Sequence, residues 1–190
     1  GSTHCDGTLS HAPGEYYLTF PDLSVTLRRF AYMCQALGWE FDAIAPIDRA
    51  AEPLTTVLAG MLQLQVCEAR AGQAALLLVG TGTHQLAALA LAKARMPAAT
   101  TFCLASSTAQ PHLPDVLGVM AQHGCNLPWE AELQRMRAAG AAPHAISACL
   151  QRAAGELGDA LANPAPDQAL HEIAAYYAAL AQAPAASVLV

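Results

Sequence analysis

The sequence predicts a doubly wound α/β domain, a mainly parallel sheet of four or five strands, followed by a C-terminal helical extension. Three observations lead there. Between residues 15 and 110, short apolar runs of strand length alternate with stretches of helical periodicity, and such alternation with short connections marks parallel βαβ units with right-handed crossovers. Residues 74–79 are apolar without a break, as in a strand buried on both faces. Beyond Pro128 the chain turns Ala-rich with helical spacing, interrupted at Gly140, Pro143 and residues 163–166.

The elements follow in order. Residues 1–14 are polar and aperiodic, so they are expected to form a mobile arm, with Gly1-Ser2 a cleavage scar. Pro21-Asp22 opens a helix that Asp22 or Ser24 can cap. Leu23, Leu27, Phe30, Cys34 and Leu37 recur at three- and four-residue steps until Gly38 stops it. Residues 43–47 read as a strand, 48–52 as a polar elbow, and Pro53 as the first turn of a helix reaching about Leu62. A second strand at 64–67 completes one βαβ unit. The strand at 74–79 then runs through Gly80-Thr81-Gly82-Thr83-His84-Gln85 into a helix at 86–95. A further strand, 100–105, finishes in the polar cluster Ser106-Ser107-Thr108. The organisation expected is therefore an arm (1–14), an α/β domain (15–128) and a helical extension (129–190) packed on the same domain. Within the extension, helices are expected at 129–139, 142–162 and 167–183.

Composition narrows the functional classes. In 190 residues, 54% are apolar and 13% charged, which excludes a disordered tail. Nine Lys and Arg stand against 15 Asp and Glu, for a net charge of −6, and Lys93 is the single lysine. A broad electrostatic grip on nucleic acid or on an anionic membrane is therefore not expected. With so little charge to cover its surface, the chain is expected to form a homodimer. Its six cysteines contain no CxxC pair, so a zinc site or disulfide scaffold is not expected. Cys67 and Cys103 read as core thiols, and the reducing cytoplasm as the compartment. No apolar stretch approaches the ~18–20 residues of a membrane span.

In an open α/β sheet, ligands bind beyond the carboxyl ends of the strands. That selects three loops: 48–52, 80–85 and 106–110. In the second, Gly80, Thr81, Gly82 and Thr83 lead from a buried strand into a helix N-terminus, where backbone N–H groups, hydroxyls and the helix dipole together suit a phosphate. The same residues equally suit a tight strand-to-helix turn. No Gly-Lys-Ser/Thr follows, and Gln85 stands where a dinucleotide fingerprint has its third glycine. In the first loop, Arg49 can hold an anion while Asp48 or Glu52 binds a metal or acts as a base. A local ion pair with a helix-start carboxylate is the plain alternative. His84 either meets a phosphate or reacting group or is an exposed loop residue. Ser106 and Ser107 either contact a base or sugar or form a turn. The remaining histidines lack ligand spacing, and no Gly-x-Ser-x-Gly elbow is present.

The stretch from Phe41-Asp42-Ala43-Ile44-Ala45-Pro46-Ile47-Asp48-Arg49-Ala50-Ala51-Glu52-Pro53 to Gln65-Val66, followed by Leu76-Leu77-Leu78-Val79-Gly80-Thr81-Gly82-Thr83, resembles the type I phosphoribosyltransferases over about residues 15–110. The resemblance implies that the 48–52 loop faces pyrophosphate and that Thr81-Gly82-Thr83 matches the family's Thr-Gly-x-Thr loop for the 5-phosphate of phosphoribosyl pyrophosphate. It implies Mg²⁺ as the cofactor, and a phosphorylated sugar or nucleotide as the partner. Two features depart from the family. The acidic pair that precedes its phosphate loop has no counterpart here, and Ala50 and Ala51 replace the usual glycine of its pyrophosphate loop. Three functions follow from these residues: phosphoribose transfer at the anomeric carbon; a non-catalytic sensor or interaction domain that keeps the fold; and, third, an enzyme reading a nucleotide cofactor through Gly80-x-Gly82, which lacks an acid ending the next strand.

Overall fold

The computed structural model describes residues 8–9, 16–68, 76–80, 86–107, 114–121, 125–164, 167, 169–170, 172, 175–176 and 179. The chain runs through β1 (Thr8–Leu9), β2 (Tyr16–Tyr17), α1 (Phe20–Leu37), β3 (Ala43–Pro46), a 3-10 turn (Arg49–Ala51), α2 (Glu52–Leu62), β4 (Gln65–Val66) and β5 (Leu76–Gly80). It continues through α3 (Leu86–Arg95), β6 (Thr100–Ser107), β7 (Val116–Ala121), β8 (Cys125–Asn126), α4 (Glu130–Ala138) and α5 (Pro143–Ala162).

α1 begins one step earlier than its sequence signals suggest. Thr19 caps it: its hydroxyl accepts from the Asp22 N–H, and the Asp22 carboxylate accepts from the Thr19 N–H at 2.9 Å, a reciprocal capping box. Ser24, expected as a cap, is instead fully buried with its hydroxyl donating to the Pro21 carbonyl. Gly38 closes the helix at φ 63°, a left-handed conformation that glycine adopts without a Cβ penalty. α2 closes on Gln63 at φ 57°.

Six parallel strands form the main sheet in the order β1-β7-β6-β5-β3-β4, and β2 pairs with β8 in a two-stranded sheet. The sheet exceeds the expected four or five strands because two-residue pairings, β1 and β4, extend its edges. Taken in chain order, β3 to β7 stand 2-1-3-4-5, a doubly wound arrangement. β1 lies within the segment read from sequence as an arm, and β7 and β8 within a stretch to which no element was assigned.

One face of the sheet carries the larger core. Leu23, Leu27 and Phe30 of α1, Leu54 and Leu58 of α2, and Leu150 and Leu157 of α5 pack there with Ile44, Phe102 and Leu104 from the strands. Phe30 stacks on Phe102 with ring centroids 4.0 Å apart. α5 runs along α1 and α2, so this helix beyond Pro128 is part of the same core. On the other face, Leu89 of α3 and Met96 just beyond it pack with Ala43, Ala45 and Cys103. Gly118 lets α1 approach: a Cβ there would meet Thr26 Cγ2 at 2.5 Å and the Leu104 carbonyl oxygen at 2.6 Å. Lys93 ties α3 to the start of β6 by donating to the Ala99 carbonyl and to Asp115. Asp115 also accepts from the N–H and hydroxyl of Thr101 at 2.7 and 2.8 Å. Burial pushes against its charge, yet these hydrogen bonds and the Lys93 ammonium hold its carboxyl below the ordinary range.

Cys103 is fully buried as expected, whereas Cys67 is half-buried just past the edge strand β4. Burial pushes both Cys34 and Cys103 up to about 12. None of the five described cysteines is in a disulfide. Among the described residues no helix is long and apolar enough to cross a membrane. Most of the helix expected at 167–183 falls outside the described residues. Asp167 is described, and its carboxylate accepts two hydrogen bonds from Arg29, each 2.9 Å long.

Candidate functional site

In a 2-1-3-4-5 sheet the direction of winding reverses between the first and third strands, here β3 and β5, and the crevice beyond their carboxyl ends is where ligands bind in this class of fold. Pro46 pairs with Val79 across these strands. β3 and β5 therefore end near one level, and the elbow beginning at Asp48 leaves β3 there. Gly80 pairs with Cys103, and β6 continues to Ser107. At about 3.3 Å per residue, Ser106 and Ser107 stand roughly 10–13 Å above that level. β7 rises beside them, with Ser106 opposite Met120 and Ser107 opposite Ala121. The result is a step, with a low floor at β3 and β5 and a wall at β6 and β7. Ser106 and Ser107, expected in a loop, are instead the last residues of β6, because pairing with β7 outweighs the turn preference of serine.

The 48–52 elbow is tightly built. Asp48 caps the 3-10 turn, its Oδ1 accepting from the Ala51 N–H at 3.1 Å. Ala50 and Ala51 are buried, and the indole N–H of Trp129 donates to the Ala50 carbonyl at 3.0 Å. Trp129 itself is 3% exposed and stacks on Phe20. Arg49 donates through Nε to Glu52 at 3.2 Å and through Nη2 to the Ser147 hydroxyl at 2.9 Å. The Arg49–Glu52 pair is partly solvated, with side chains 40% and 38% exposed, and such pairs contribute little stability and exchange readily. The structure thus joins Asp48, Arg49 and Glu52 in one elbow, where the plain ion pair is observed. Sequence reasoning missed Trp129 and Ser147, which lie 79 and 98 residues from their partners in the elbow; no local signal marks either.

Few anion donors remain at this elbow. Ala51 N–H is taken by Asp48, Pro53 has no N–H, and Glu52 occupies the first turn of α2. α3 starts at Leu86, and no acidic residue stands in its first turn. Gly80 ends β5 at the edge of that region. A Cβ on it would meet Leu89 Cδ1 at 2.5 Å, so close packing of α3 on β5 accounts for this glycine. Thr81, Gly82, Thr83 and His84 lie outside the described residues. Among the described residues no group of three or more His, Cys, Asp or Glu side chains is placed to hold a metal ion. Asp48 is engaged in the cap of the 3-10 turn and Glu52 with Arg49.

No family model matches the chain, and no curated protein matches it. Solved structures similar to it include a purine phosphoribosyltransferase from Pyrococcus horikoshii OT3, at 16% identity and a TM-score of 0.47, covering 61% of this chain and 94% of that one. The xanthine-guanine-hypoxanthine phosphoribosyltransferase of Helicobacter pylori aligns at 15% identity and a TM-score of 0.47, over 66% of this chain and 99% of its own. A hypothetical protein from Neisseria gonorrhoeae with bound ppGpp aligns at 15% identity and a TM-score of 0.48, over 69% of this chain and 99% of its own. The chain itself is a doubly wound α/β protein with a stepped crevice at its winding reversal.

Proposed function

We propose that this protein is phosphoribosyltransferase-like and binds a phosphorylated ribose or nucleotide in the crevice between β3 and β5. The observation that supports the reading is the strand order: β3 and β5, the strands that precede 48–52 and 81–85 in the sequence, are neighbours at the winding reversal. In this reading Gly80, Thr81, Gly82 and Thr83, with the α3 N-terminus, receive the phosphate. Arg49 exchanges Glu52 for a second anion of the ligand, and Ser106 and Ser107 on the wall meet the sugar or base. Asp48 holds the elbow in shape, and Glu52 serves as Arg49's resting partner. His84 is the residue of this set able to exchange a proton near neutral pH.

Transfer of phosphoribose is the finer activity implied by the resemblance. It needs charge stabilisation of a departing pyrophosphate more than a protein nucleophile. Arg49 is the described cation at the elbow for that task, and no step runs through a protein-held Mg²⁺. Binding without transfer is the second reading. It is favoured by the closed 48–52 elbow, whose buried Ala50 and Ala51 and occupied N–H groups leave little room for pyrophosphate.

The test is a thermal-shift and pyrophosphate-release series with phosphoribosyl pyrophosphate, ribose 5-phosphate and nucleoside monophosphates, each with and without Mg²⁺. A ligand at 100 times its dissociation constant adds about 2.7 kcal/mol of stability. Arg49→Ala and Thr83→Val should each weaken that shift. Pyrophosphate release on adding a purine or pyrimidine base establishes transfer; a shift without release establishes the sensor. No shift with any phosphorylated ligand refutes both.

A further inference from the structure

A second concavity of about 680 Å³ opens at the opposite end of the sheet. Arg28, Tyr32 and Gln35 of α1, Trp39 just beyond it, Gln63 at the end of α2 and Leu161 near the end of α5 are among the residues lining it. α1 and α2 both finish here, on Gly38 and Gln63, before the chain enters the amino ends of β3 and β4. Ser147, which touches Arg49 at the crevice, lies 14 residues before Leu161 on α5. At 1.5 Å per residue the two sites are roughly 21 Å apart.

Its chemistry is specific. The volume falls within the usual ligand-pocket range of about 300–1,000 Å³. Two aromatic side chains face it while substantially exposed, Trp39 at 39% and Tyr32 at 42%. Trp39 is steadied edge-on against Phe41, ring centroids 6.4 Å apart. Among the described lining residues Arg28 is the cation and none is acidic, in a chain whose net charge is −6. The nearby carboxylate that senses Arg28, Asp167, is already held at both oxygens by Arg29. Arg28 makes no hydrogen bond among the described residues. Exposed rings, two side-chain amides and a guanidinium with no hydrogen bond among the described residues match a flat, hydrogen-bonding ring bearing negative charge.

We propose that this groove is a second binding site, for a planar heteroaromatic anion that stacks on Trp39 and Tyr32 and places its anionic group on Arg28. The anion is either the phosphate of a nucleoside monophosphate or the carboxylate of an aromatic acid. This site is separate from the crevice and does not depend on the function proposed for it.

The chain's two tryptophans allow a direct test. Trp39 lies in the groove, and Trp129 is bonded to the elbow at the crevice, so the two indole N–H resonances report one site each. The full chain is titrated with AMP, with anthranilate and with adenosine. Saturable movement of the Trp39 resonance by AMP or by anthranilate, weakened about tenfold in Arg28→Gln, is the expected result, and whichever moves it identifies the anion's source. An unmoved Trp129 resonance in Arg28→Gln shows that its fold is intact. The proposal is overturned if neither anion moves Trp39 at millimolar concentration, if adenosine binds as tightly as AMP, or if Arg28→Gln binds unchanged. Movement of Trp129 alone overturns it while leaving the crevice reading standing.

Discussion

Alanine placed at Gly118 and at Gly60 should change stability in opposite directions. At Gly118 on β7, the added methyl would meet Thr26 Cγ2 at 2.5 Å and the Leu104 carbonyl oxygen at 2.6 Å. One obstacle is backbone of the neighbouring strand and the other belongs to a buried threonine on α1, so neither yields cheaply. Either α1 lifts from the sheet or β6 and β7 separate locally. Overpacking of this kind costs about 1–3 kcal/mol. At Gly60, exposed inside α2, a Cβ would meet nothing within 4 Å. Alanine there gains about 0.5–1 kcal/mol of helix propensity. The two variants should differ by roughly 1.5–4 kcal/mol, and for a chain of this length each kcal/mol moves Tm by about 2–4 °C. Urea denaturation followed by circular dichroism, with thermal melts alongside, measures both. A Gly118→Ala protein as stable as the wild type would refute the close approach of α1 to β7. A destabilised Gly60→Ala would refute the reading of Gly60 as an unstrained, exposed position of α2.

Replacing Trp129 by Phe keeps the ring against Phe20 but removes the donor to the buried Ala50 carbonyl, so a loss of about 1–3 kcal/mol in denaturant melts is expected; an unchanged midpoint would show that the elbow does not depend on this bond. Asp115 and Asp167 both have lowered carboxyl pKa values, the former through Lys93 and Thr101 against the pull of burial, the latter through Arg29. Their stabilisation is complete above the ordinary carboxylate pKa near 4 and is lost as pH falls through the lowered folded values. The wild type should therefore lose more stability than Asp115→Asn on acidification below about pH 4, and equal losses would contradict the network. Cys34 and Cys103, buried and pushed up to about 12, should resist iodoacetamide in the folded protein and react more slowly than half-buried Cys67, as peptide mapping by mass spectrometry can show; rapid native labelling of Cys103 would contradict its place beneath α3.

Much of the fold is legible because its elements are periodic and end on chemical stops. α1 shows its apolar stripe and Gly38, α2 its Pro53, and β5 its unbroken apolar run leading to α3. What stays hidden is decided by partners distant in sequence. The pairing of Thr8-Leu9 with β7 and of Tyr16-Tyr17 with β8 involves two residues each, too few for any pattern to announce. β7 carries Gly118 at its centre, a residue that weakens strand preference and is needed here for the approach of Thr26. The site divides the same way. The 48–52 elbow follows from a strand end and Pro53, so it can be located from sequence. The state of the elbow cannot, because the bonds from Trp129 to Ala50 and from Arg49 to Ser147 join it to helices that pattern reading treats as an appendage.

The most direct test of the account is a backbone amide titration of the nitrogen-15-labelled chain with ribose 5-phosphate. The account predicts shifts concentrated at residues 48–52 and 80–86, with the resonances around Tyr32, Trp39 and Gln63 unmoved. An absence of shifts at both loops, or shifts confined to the far end of the sheet, would contradict a phosphate-binding crevice between β3 and β5.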